Sequence, residues 1–393
     1  MNTMNAFRRT RFACFYSYLA TSSIFCLPPM LFVTFREQFG ISYTLLGTLV
    51  LINFCTQLGV DLLLTFFGKY FNLHKALRGM PFLVTLGLGL YALIPALFPQ
   101  AAYLGLVVGT LVFSVAAGLN EVLLSPTVAA LPSENPEKDM SLLHSLYAWG
   151  VLTVVVLSTL FFYLFGRENW VYLTLFWAVL PLVSGILFLI SPLPPLTLSQ
   201  NNAVTHPGHR KGLLLCVCCI FLGSAAENGM TNWISTFAEQ SLGIPKALGD
   251  MLGLALFAML LGLARTLYAK FGKNILRVLL VSMLGAIACY LVAGLSPAPT
   301  LSLVACVLTG FCTSMLWPGT LILMEERFPA IGVAAYALMA AGGDLGGSVA
   351  PQLLGVLADT VGLKSGMLIA AVFPALGVLL LLYMKRYFEK KNG

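Results

Sequence analysis

The sequence predicts an all-α integral membrane protein with twelve transmembrane helices arranged as two six-helix halves. Three observations predict it. Only 9 % of the 393 residues are charged and 59 % are apolar types, against roughly 25 % charged in soluble domains. Too little polar side chain is left to cover a soluble fold. Twelve apolar stretches each approach the roughly 20 residues that a bilayer requires. A polar, proline-rich segment falls midway and divides them six from six. The composition excludes a cytosolic enzyme, a disordered chain and a nucleic-acid binder.

The stretches fall at about 12–34, 44–67, 78–98, 102–126, 141–165, 170–190, 212–236, 246–269, 275–295, 299–323, 331–357 and 363–384. None shows the ten-residue alternation of an outer-membrane barrel, so each reads as a helix. The first follows Arg8, Arg9 and Arg11. It lacks a small-residue cleavage site and reads as a retained span. The domain expectation is a bundle over 1–190, a linker over 191–211 and a second bundle over 212–393. The linker holds Pro192, Pro194, Pro195, His206, Pro207 and His209.

The net charge of +7 sorts by side. With the N-terminus placed in the cytoplasm, seventeen Lys and Arg fall on that side, from Arg8 to Lys391. The other side keeps Arg36, Arg167, Lys246 and Lys364. That positive-inside bias puts both termini in the cytoplasm of a cell (inner or plasma) membrane. The basic excess is then topological and calls for no nucleic-acid partner. All nine cysteines lie in apolar spans. Cys216-Val-Cys218-Cys219 reads as small apolar side chains, because no histidine pair or second cysteine pair accompanies it.

The halves echo each other. Thr34-Phe35-Arg36-Glu37-Gln38 precedes Gly40-Ile41, and Thr236-Phe237-Ala238-Glu239-Gln240 precedes Gly243-Ile244. Gly59 and Gly262 match at the offset of the glycine pair. Similar residues at matching places in two halves of the same orientation suggest a parallel repeat.

Twelve spans as six plus six, with cytoplasmic termini and a central linker, resemble the major facilitator superfamily over nearly the whole chain. Gly59-Val-Asp61, Gly68-Lys69, Lys75 and Arg78 resemble its signature between helices 2 and 3, although Leu62 stands where a basic residue is usual. Gly118-Leu-Asn120-Glu121 with Ser125-Pro126 is similar to the helix 4 signature of the fucose/hexose proton symporter group. His144-Ser-Leu-Tyr147-Ala-Trp149-Gly150, Ala226-Glu227-Asn228-Gly229 with Asn232-Trp233, Trp317-Pro318-Gly319 and Gly342-Gly-Asp344-Leu-Gly346-Gly347 resemble that group's later signatures. Such symporters often carry an acid in helix 1, and none stands here. The resemblance implies helices 1, 4, 7 and 10 around a cavity. It also implies import of a sugar or related polar metabolite by proton symport, through alternating access. The competing reading is a proton-coupled exporter of drugs or amphiphiles. Neither is an enzyme. No ATP-binding Gly-x-x-x-x-Gly-Lys run and no hydrolase motif is present.

Charge inside a bilayer costs about 2.5 to 3.5 kcal/mol at a helix centre, so ionisable residues there are functional candidates. Five qualify: Asp61, Glu121, Glu227, Arg265 and Asp344. Glu121 and Glu227 are the expected proton-coupling acids. Asn120, Glu227, Asn228, Asn232, Trp233, Trp317 and His144 are the expected substrate residues, since amides and carboxylates pair with hydroxyls and an aromatic face stacks on a pyranose. The bland alternative for each is hydrogen-bonded glue between helices, or an interfacial anchor for His144. Asp61, Arg265 and Asp344 are expected to gate or to pair structurally. No metal or cofactor is expected beyond a proton gradient, with sodium as the alternative ion. The expected partners are a small polar solute and the bilayer, and a monomer is the expected state.

Overall fold

The computed structural model describes residues 7–67, 70–133, 136–194, 210–328 and 333–392. Most of the expected linker, together with Gly68 and Lys69, lies outside them, as do the side chains of Lys138 and His144. The described chain is helical, without a strand. Twelve helical elements follow in order. They are α1 (Arg8–Met30, continued by Phe32–Phe39), α2 (Tyr43–Phe67), α3 (Leu73–Leu97), α4 (Ala102–Ala129), α5 (Pro136–Phe165) and α6 (Trp170–Leu189). Then come α7 (Arg210–Gln240), α8 (Lys246–Leu248, Gly249–Ala255 and Leu256–Phe271) and α9 (Ile275–Leu295). The last are α10 (Pro299–Thr313 and Leu316–Arg327), α11 (Val333–Thr360) and α12 (Leu363–Ala370 and Val372–Asn392).

Nine of these helices are long and apolar enough to cross a membrane, and the bent α1 pair makes ten among the described residues. The other two of the twelve expected are α5 and α11. In helix α5 the described apolar stretch is Trp149–Phe165, because several side chains before it, Ala148 included, lie outside the described residues. Helix α11 runs for 28 residues, but its glycines, Asp344, Ser348 and Gln352 dilute its apolar content.

By contact the chain forms two units. One holds Met1–Ile41 and Cys55–Ser199; the other holds Ser42–Phe54 and Gln200–Gly393. In the first, α1 bends by 47° between Met30 and Phe32. Pro28 and Pro29 cause the bend, because neither can donate an amide to the carbonyl four residues back. Helices α3 and α4 meet through small residues. A β-carbon on Gly105 or Gly109 would collide with Ile94 and Tyr91, and one on Gly87 would collide with Phe113. Such close contact supplies dispersion energy where the bilayer offers no hydrophobic drive. Gly150 of α5 likewise sits against Ser22 of α1.

In the second unit, α11 lies along α7 by the same device. Gly342 meets Val217 and Gly346 meets Phe221. The first turns of α2 belong here too. Asp359 accepts the amides of Tyr43 and Thr44, at 3.0 and 2.6 Å, and so caps α2. Two orphan amides at a helix start gain a charged acceptor.

The two glycines of the internal echo end their helices in the same way. Gly40 has φ +66° and Gly243 has φ +65°, both left-handed and both with open space about the α-carbon. Phe35 and Phe237, five and six residues earlier, are both fully buried. All nine cysteines are free thiols, six of the nine buried.

Candidate functional site

The second unit gathers the intramembrane charges that the sequence left apart. Glu227 sits midway along α7 and is partly buried. Arg265 of α8 reaches it, with Nη2 3.6 Å from Glu227 Oε1. The same guanidinium donates from Nε to the carbonyl of Ser314, at 3.0 Å. That carbonyl is available for a covalent reason. Four residues on stands Pro318, which has no amide hydrogen to give it. The helix α10 breaks there, between Thr313 and Leu316. One arginine thus joins α7, α8 and the break in α10. A planar guanidinium with several donors suits that bridge in a way an ammonium does not.

The second carboxylate oxygen of Glu227, Oε2, is buried and has no hydrogen-bond partner among the described residues. It remains an open acceptor beside a cation. Around it, Thr231 donates to the Glu227 carbonyl at 2.9 Å. Asn228 donates from Nδ2 to Ser224, and Asn232 donates to the Asn228 carbonyl at 3.0 Å. Each amide therefore spends a donor on its own helix.

Two tryptophans are engaged in packing. Trp233 is fully buried. Its Nε1 donates to the Pro351 carbonyl of α11 at 3.0 Å, and its ring meets Tyr43 edge-on at 5.5 Å. It offers no face to a solute in this conformation, because α11 and the start of α2 cover it. Trp317 is half-buried beside the α10 break, with its ring against Gly343. Asp344 is buried in α11 among the glycines that touch α7.

A second charged cluster in this unit was not among the expected sites. Lys246 and Asp250 lie one turn apart at the start of α8, 3.1 Å from nitrogen to oxygen, with side chains 5 % and 1 % exposed. Ser235 of α7 donates to Asp250 Oδ1 and accepts from Lys246 Nζ at 3.0 Å. Lys246 was expected at the outer surface, as one of four basic residues there. It is buried instead, because the Asp250 carboxylate one turn on and the Ser235 hydroxyl take the place of water around its ammonium.

The first unit holds the other two acids. Gly118 lets α2 and α4 touch, with its α-carbon close against Val60 and Gln57. Asp61 follows Val60, and Glu121 lies one turn after Gly118. The two carboxylates stand within Coulombic range. Glu121 is exposed, whereas Asp61 is partly buried with Oδ1 wholly enclosed. Asn120 is buried and accepts from Ser17 of α1 at 3.4 Å. The side chain of His144, on α5, lies outside the described residues.

The family model of the Major Facilitator Superfamily matches residues 12–351 and 270–393. The chain belongs to that superfamily. It is a multi-pass membrane transporter of small molecules, not an enzyme. Among solved structures, a D-xylose-proton symporter superposes with a TM-score of 0.78 at 16 % identity, covering 96 % of each chain. The nucleoside transporter NupG gives 0.72 at 13 % identity, over 96 % of this chain and 98 % of that one. The E. coli fucose:proton symporter FucP gives 0.63 at 14 %, over 96 % and 99 %. These likenesses show the fold and nothing finer. No curated protein matches the sequence.

Proposed function

We propose that this transporter imports a sugar or a related small polar metabolite together with a proton. Two six-helix halves, 1–190 and 212–393, joined by 191–211, would alternate access to a site near the bilayer midplane. The protein would act as a monomer in a cell membrane, with both termini cytoplasmic.

The observation that carries the reading is the open carboxylate oxygen of Glu227 beside Arg265. A carboxylate oxygen and a guanidinium at one place offer an acceptor and donors to a pair of vicinal hydroxyls. Burial of Oε2 makes the match selective, because a solute that fails to fill it leaves it unpaired. Asn228 and Asn232 supply further amide groups on the same helix. Glu121, exposed on α4 and with no ion pair among the described residues, is the expected carrier of the proton. Fold kinship with symporters of xylose and fucose agrees with this reading.

The test is uptake of labelled D-xylose and L-fucose into proteoliposomes, with and without an imposed pH gradient. Uptake should rise with the gradient. In Glu121→Gln, accumulation should vanish while exchange down a concentration gradient persists. In Glu227→Gln, both should fall. Uptake that ignores the pH gradient but follows sodium would overturn proton coupling. Uptake of neither sugar, with a nucleoside accumulated instead, would overturn the sugar assignment.

A further inference from the structure

We propose that Asp61 and Glu121 form one protonation unit, a carboxyl–carboxylate pair that shares a single proton across the contact of α2 and α4. It rests on the proton-coupled reading and names a second residue for the proton site. Sequence logic set Asp61 aside as a gate residue near the end of its helix. The structure brings it to Glu121 instead.

Four observations support the pair. Gly118 removes the side chain that would otherwise hold α2 and α4 apart, since a β-carbon there would lie 2.9 Å from Val60. Asp61 lies one turn past Gln57, which is also in that contact, and Glu121 is three residues past Gly118, so each acid shares a helix face with a residue of the contact. Each sits about two turns from the C-terminal end of its helix, so they share one level of the bundle. Asp61 Oδ1 is enclosed and accepts no hydrogen bond among the described residues.

An ionised carboxylate with a dry, unpaired oxygen is expensive, and a second negative charge beside it adds repulsion. One proton relieves both costs. The O–H of one acid is donated to the other carboxylate, and the pair keeps a single negative charge. Glu121 is the charged group that acts on Asp61. Their polar neighbours, Gln57 on α2, Asn120 on α4 and Ser17 on α1, are neutral. The two members differ in access. Glu121 is exposed, whereas Asp61 is partly buried with an enclosed oxygen.

The experiment needs no transported solute. Infrared titration of the purified full chain follows the carboxylic-acid C=O band as protons bind. In Asp61→Asn the midpoint of Glu121 should move by at least about one pH unit, and in Glu121→Gln that of Asp61 should move likewise, as coupled acids require. The double variant should lose both of these midpoints and leave the band contributed by the chain's other acids unchanged. If each midpoint stays where it was when the partner is removed, the two titrate independently and the pair is refuted. If Asp61→Asn does not fold, Asp61→Glu and Gly118→Val decide the matter. The first should keep the coupled behaviour. The second, by forcing the helices apart, should bring the two midpoints together, and two unchanged midpoints there would refute the pair. Midpoints that move while sugar uptake ignores the pH gradient would uphold the pair and overturn only the symport reading.

Discussion

The buried cluster of Lys246, Asp250 and Ser235 yields a prediction with opposite signs for two neighbouring variants. Both charges are nearly inaccessible, at 5 % and 1 % exposure. The serine hydroxyl serves each of them. Asp250 Oδ2 takes no hydrogen bond among the described residues, so the carboxylate is served on one oxygen alone. Asp250→Ala leaves an ammonium buried with one neutral partner. Lys246→Met leaves a carboxylate buried with one hydroxyl. Removing one member of a buried pair costs about 3–5 kcal/mol. Ser235→Ala should cost about 1 kcal/mol, the net worth of an ordinary hydrogen bond. Removing both charges at once is a different matter. Lys246→Met with Asp250→Leu keeps the volume and has no charge to desolvate, so it should fall within about 1 kcal/mol of the parent or exceed it. The buried thiols suit the assay, because a thiol-reactive dye reports their exposure on unfolding in detergent. Cys216, Cys219, Cys289 and Cys306 all lie in this unit and are buried. The cycle should show the double variant more stable than either single one. Additive losses, with the double variant worst of all, would refute the argument, as would single variants that lose less than about 0.5 kcal/mol.

Other expected outcomes follow from the same geometry. Gly40→Ala and Gly243→Ala each place a β-carbon at φ near +65° with no steric contact, so each should cost about 1–2 kcal/mol from backbone strain alone, and by similar amounts. A dye-based unfolding curve for each reads this, and a large inequality would deny their equivalence in the repeat. Arg265→Lys cannot serve both Ser314 and Glu227 through one planar group, so it should lower sugar uptake at least about tenfold with little change in unfolding temperature. Full uptake would remove the bridge from the mechanism. Trp233→Phe deletes the donor to the Pro351 carbonyl and should cost about 1–2 kcal/mol, measured by the same unfolding curve.

The helical membrane fold and the two glycine helix ends were legible because they depend on local composition. A glycine that ends a helix in the left-handed region leaves its mark at one position, and Gly40 and Gly243 could be paired by eye. The five intramembrane charges were legible as a set, since so few charges stand in the chain at all. Their partners were not. Arg265 and Glu227 lie on different helices, and no spacing rule reports which faces meet. A signal for that bridge was nonetheless present. Any proline inside a helix frees the carbonyl four residues before it, so Pro318 announced an unfilled acceptor at Ser314. Only an arginine from a neighbouring helix was needed to fill it. Lys246 and Asp250 carried a plainer signal, a lysine four residues before an acid at the mouth of a span. Position near a span end alone implies the surface and hides that signal. Position along the membrane normal says how deep a residue sits and nothing about which side of its helix is covered. A charge near the end of a span is therefore read safely as a surface charge only when no opposite charge stands one turn away. Where one does, as at Lys246 and Asp250, the pair can be buried at a depth where neither residue could be buried alone.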